Sequence, residues 1–92
     1  MINKNLLSVD KYCLATFGTT HHALHAEKVL AENNLPFIII PTPKEISAGC
    51  GLAIRFFCDH YDNIVNKLAE NNIPVNQFYE AENSRFKRKS PI

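Results

Sequence analysis

The stretch Leu30-Ala-Glu-Asn-Asn-Leu-Pro36 returns almost unchanged as Leu68-Ala-Glu-Asn-Asn-Ile-Pro74. Each copy closes a helical pattern and leads into an apolar segment, so the chain is built from two similar halves. Asparagine tolerates the left-handed backbone that ends a helix, and the proline that follows cannot continue one.

Working outward from these two stops, the apolar pattern predicts a strand over 11–17 and a helix from Thr19 or Thr20 to about Asn34. A second strand is expected over 37–40 and a third over 52–58, with a Pro/Gly-rich loop between them. Asp59 starts a second helix, on which Tyr61, Ile64, Val65, Leu68 and Ala69 share a face. A fourth strand is expected over 75–81. The order β-α-β-β-α-β is that of an α+β ferredoxin-like sandwich, a four-stranded antiparallel sheet with two helices on one face. A small parallel α/β or thioredoxin-like arrangement is the other possibility, but halves related by a pseudo-twofold favour the first. The reading divides the chain into an N-terminal extension (1–10), one ferredoxin-like domain (11–82) and a basic, disordered tail (83–92).

Composition narrows the partners. The chain has 92 residues, 46% of them hydrophobic, and a net charge of +1. Its basic groups are uneven: Arg85, Lys87, Arg88 and Lys89 sit together near the end, leaving six basic against nine acidic residues elsewhere. A mildly acidic body argues against nucleic acid, which needs cations to replace counterions on phosphates. The longest apolar run, Pro36 to Pro41, is too short to span a membrane. The N-terminus has no secretory pattern, so a cytoplasmic protein is expected.

Three cysteines, Cys13, Cys50 and Cys58, give no CxxC pair and no disulfide framework, and no metal site or cofactor is expected. Cys13 and Cys58 fall inside predicted strands and read as small core hydrophobes, with a bridge between them disfavoured. Cys50 is different, because it lies between Gly49 and Gly51. In the expected sheet the first and third strands are antiparallel neighbours, which brings Cys50 to the start of the first helix. Free N–H groups there act as a partial positive charge, an environment that favours the thiolate. The flanking glycines are expected to leave the sulfur exposed, suited to nucleophilic attack or to carrying a transferable atom. The other reading makes Cys50 a turn residue.

Around it, His22 on the flank of the helix's buried face is a candidate activator, and Lys44 a candidate anion contact. Gly49, Gly51, Ser47, Thr20, Glu27 and Arg55 complete the candidate binding residues. Glu27 lies a turn below His22. Arg55 is expected on the open sheet face, where it would serve as a surface or docking cation, and that face allows a homodimer. His21 and His25 form a solvated i, i+4 pair, and His60 is expected at the surface.

The stretches Thr19-Thr-His-His-Ala-Leu-His-Ala-Glu-Lys28, Ile40-Pro-Thr-Pro-Lys44 and Ile46-Ser-Ala-Gly-Cys-Gly-Leu-Ala-Ile-Arg55 resemble the selenium/sulfur carrier protein-like family of small bacterial proteins. The resemblance implies sulfur or selenium delivery, with Cys50 bearing the atom. It implies a protein partner, such as a TusA-like sulfur-transfer protein or a cysteine desulfurase. Lys44 stands where the family usually has arginine, which would give up bidentate contacts to an anion. A domain this small offers little depth for a substrate pocket, so a carrier is expected rather than a conventional enzyme. A non-catalytic binding or regulatory module with a structural Cys50 is the alternative.

Overall fold

A computed structural model of the chain describes residues 10–46, 49–83 and 85–89. Its elements are β1 (Lys11–Thr16), α1 (Thr20–Glu32), β2 (Ile38–Pro41), β3 (Leu52–Phe56), a single 3₁₀ turn (Cys58–His60), α2 (Tyr61–Glu70), β4 (Gln77–Glu82) and β5 (Arg85–Lys89). The sheet runs β2-β3-β1-β4-β5, and every neighbouring pair is antiparallel.

The repeat is a helix-ending device used twice. Asn34 and Asn72 take left-handed backbone, with φ of 57° and 55°. The next residue's N–H returns to the helix in both copies, Leu35 to the Leu30 carbonyl and Ile73 to the Leu68 carbonyl, each at 3.0 Å. This is the Schellman arrangement, which satisfies carbonyls that the helix leaves open. The first asparagine of each pair adds a side-chain bond, Asn33 to the Val29 carbonyl at 2.7 Å and Asn71 to the Lys67 carbonyl at 2.8 Å. At the other end of α1, Thr19 is the cap, its hydroxyl accepting the His22 N–H at 3.2 Å.

The helices cover one face of the sheet. Ala23, Ala26, Val29 and Leu30 of α1 and Tyr61, Ile64 and Leu68 of α2 pack there with Cys13, Ala15, Phe17, Ile54, Phe56 and Phe78. The opposite face carries a second apolar cluster, in which Leu14, Ala53 and Tyr79 are buried together with Ile46 from the loop after β2. Tyr12, Ile40 and Phe86 pack against that cluster. Period-2 alternation along β1 and β3 therefore feeds two cores rather than one.

The four-stranded expectation is corrected to a five-stranded sheet, because β5 forms from residues assigned to a disordered basic tail. Asn83, with φ of 52°, reverses the chain, and β5 then pairs with β4 from Phe78↔Lys89 to Glu82↔Arg85. Alternation explains why the charges do not prevent pairing. Phe86 points to the second cluster, while Lys89 reaches Glu80 at 3.4 Å. A strand of two lysines and two arginines also suits a sheet edge, where charge discourages pairing with another chain. The third strand and second helix meet differently from the expectation, since β3 stops at Phe56 and the 3₁₀ turn precedes α2. Among the described residues, no helix is long and apolar enough to cross a membrane. Ser47, and all of the N-terminal extension before Asp10, lie outside the described residues.

Candidate functional site

Register brings Cys50 to α1. β1 and β3 are antiparallel neighbours with Thr16 opposite Ala53, so the residues just before β3 lie beside those just after β1. The Cys50 N–H donates to the Phe17 carbonyl at 3.0 Å, continuing the ladder past the end of β1. Its carbonyl accepts the Thr42 hydroxyl at 3.0 Å, and the Thr42 N–H reaches the Gly51 carbonyl at 2.9 Å. The cysteine backbone is thus held from both sides.

The sulfur does not point outward. Cys50 is only 2% exposed and belongs to the helix-side core, which corrects the expectation of an exposed loop thiol. The glycines were expected to uncover it, but neither has a positive φ. Gly49 serves close approach instead: a Cβ there would collide with the backbone carbonyl of Gly18. A Cβ on Gly51 would meet nothing, so that position is open. With Gly49 pressed against Gly18, Cys50 turns under the start of α1. Its Sγ lies 3.7 Å from the Thr20 hydroxyl and accepts the Leu52 N–H at 3.3 Å. Thr20, Gly49 and Gly51 are themselves exposed.

The structure brings Thr20, Gly49 and Gly51 together with Cys50 and leaves the other candidates apart. Among the described residues, the His22 ring makes no hydrogen bond to Cys50. It is half-buried and lies against His21, with ring centroids 5.9 Å apart. Lys44 is exposed on the loop and Glu27 half-buried on α1. Arg55 lies on the other face, its guanidinium 3.7 Å above the Tyr12 ring, where it packs rather than projects. His21 and His25 are exposed, as their helix positions imply.

One grouping escaped the sequence reading. Cys13 opposes Phe56, so Cys58, two residues further along, falls on the same face within reach of Cys13. The two sulfurs are 2.8 Å apart, although both cysteines are free thiols. Glu80 sits across β4 from Cys13 and brings its carboxylate to the same place. Burial pushes the Cys13 thiol far above its usual range, and the hydrogen bond and charge of Cys58 and the charge of Glu80 act in the same direction. The separation of 45 residues gives this trio no local motif.

Fold and site together define a small α+β protein with one cysteine held beneath the start of a helix. Residues 12–80 match the family described as "Putative Se/S carrier protein-like", and the chain belongs to that family. No curated protein and no solved structure gives a significant match.

Proposed function

We propose that this protein carries sulfur or selenium on Cys50, on a scaffold that elaborates the ferredoxin-like sandwich with a fifth strand. The observation that supports this most directly is the seat of the sulfur. It lies beside the first residue of α1, with the Leu52 N–H at 3.3 Å and the Thr20 hydroxyl at 3.7 Å. A backbone donor and the positive end of a helix suit an anion on or near that sulfur.

In the step envisaged, the Cys50 thiolate attacks the terminal sulfur of a partner persulfide, R–S–SH. An S–S bond forms on Cys50, the partner's S–S bond breaks, and the partner leaves as the thiolate R–S⁻. No net oxidant or reductant is consumed, and a selenosulfide donor R–S–SeH reacts in the same way. The partner is a protein bearing such a group, such as a cysteine desulfurase or a TusA-like sulfur-transfer protein. Loading requires local opening around Cys50, because the resting thiol is covered.

The 2% exposure of Cys50 favours a second reading, a binding module in which this cysteine is structural. Intact mass separates the two. Reduced protein is incubated with cysteine and a cysteine desulfurase, or with a persulfide donor. A carrier gains one sulfur atom in wild type and in Cys58→Ser, and none in Cys50→Ser. Equal gain in Cys50→Ser would reject the carrier reading.

A further inference from the structure

We propose that Cys13, Cys58 and Glu80 form a second site, at the end of the sheet away from Cys50, that binds one thiophilic divalent cation of the zinc or cadmium class. Three elements converge on it: β1 supplies Cys13, the turn after β3 supplies Cys58, and β4 supplies Glu80. One ligand atom from each lies within 4.8 Å of the other two. Such a cation sits roughly 2.3 Å from thiolate sulfur and 2.0–2.2 Å from carboxylate oxygen. Tetrahedral angles then place the two sulfurs roughly 3.8 Å apart. Starting from 2.8 Å, the sulfurs need only separate by about that difference, in the direction their charges push them once deprotonated.

The donor set decides the class of cation. Two thiolates select soft or borderline metals over magnesium and calcium, which prefer all-oxygen shells. Three protein ligands leave a fourth position for water or an incoming group.

The surroundings fit an anionic cluster. Two thiolates and a carboxylate carry one negative charge more than a divalent cation. Lys89 and Lys11 lie 3.4 and 3.6 Å from the two Glu80 oxygens and offset it. Such partners of the carboxylate also orient it. The Tyr61 ring lies under Lys89, 4.7 Å from the ammonium, and helps to hold that cation beside Glu80. Thiolate is the ligand form, so loading displaces thiol protons to solvent and leaves the bound thiols unable to react with alkylating reagents.

The test is a cadmium titration of the reduced full chain, read by thiolate-to-cadmium charge-transfer absorbance and by alkylation of each cysteine. One equivalent should raise the band to saturation, protect Cys13 and Cys58 from alkylation, and raise the unfolding midpoint. Cys50→Ser should behave like wild type. Cys58→Ser should lose the band. Glu80→Gln, which leaves both thiols in place, should weaken binding at least tenfold with the fold intact by circular dichroism. The proposal falls if no band forms at one equivalent, if the band survives Cys58→Ser or disappears in Cys50→Ser, or if Glu80→Gln binds as tightly as wild type. It also falls if Cys13 and Cys58 join as a disulfide under reducing conditions where cadmium should bind. Sulfur loading of Cys50 is read separately, so neither result depends on the other.

Discussion

Cys50 lies just before β3 and the Cys13–Cys58 pair gathers at its far end, and the two ends hold their sulfurs by different means. At the first, the backbone does the work: the Phe17 carbonyl takes the Cys50 N–H, and the Leu52 N–H is directed at Sγ. At the second, side chains meet side chains, with Cys13 and Glu80 set opposite each other by register and Cys58 added by the turn after β3. A sulfur fixed by backbone keeps its place under most side-chain substitutions. One fixed by side chains changes its chemistry with any member of the group.

The largest test of that contrast is at Gly49. A Cβ there strikes the Gly18 backbone, which has no flexible end to yield. Gly49→Ala should cost about 1–3 kcal/mol, as overpacking does, and should release Cys50 to faster alkylation. Gly51→Ala meets open space and should stay within about 0.5 kcal/mol of wild type. Urea unfolding of the two variants measures both. Equal midpoints would mean that the Gly49–Gly18 contact does not set the loop.

A smaller effect needs no substitution. Cys58 is half-buried, whereas Cys50 is 2% and Cys13 0% exposed. A covered thiol reacts only through local opening, and each 1.4 kcal/mol of opening slows it about tenfold. Native-state alkylation followed by peptide mass should therefore modify Cys58 first, with Cys50 and Cys13 at least about tenfold slower. A Cys50 that reacts as fast as Cys58 would show that its cover opens at almost no cost.

These differences also explain what could be read from the chain. The two Leu-Ala-Glu-Asn-Asn stops were legible because a helix end is a local device, carried by neighbouring residues. The meeting of Cys50 with the start of α1 followed from connectivity, since it needs only β1 beside β3. The inward turn of its sulfur did not, because that depends on Gly49 packing against Gly18, a contact between residues far apart in the chain. β5 was hidden by its charges. Arg85, Lys87, Arg88 and Lys89 look solvated until Asn83 is seen to reverse the chain and Phe86 to anchor it. The Cys13–Cys58–Glu80 group was out of reach for the same reason as the Cys50 orientation. Strand assignments alone leave the register free, and a shift of one residue would send Cys13 to the opposite face.

The smallest predicted effect isolates the α1 hydroxyl that lies against the Cys50 sulfur. Thr20→Val keeps the shape of the side chain and removes the hydroxyl 3.7 Å from Sγ. Thr20 is exposed, so stability should stay within about 0.5 kcal/mol of wild type. The thiol donates to this hydroxyl, which can turn to donate to the thiolate once the proton leaves. Losing that bond should slow Cys50 by about two- to fivefold, since such a bond contributes around 0.5–1 kcal/mol. Cys58, at the other end of β3, serves as the internal reference in the same mass measurement and should keep its rate. If both cysteines slow together, the substitution has altered the opening of the fold rather than the sulfur's environment. If Cys50 keeps its rate, the Leu52 amide alone suffices to hold the sulfur, and the contribution of α1 lies in its backbone rather than in Thr20.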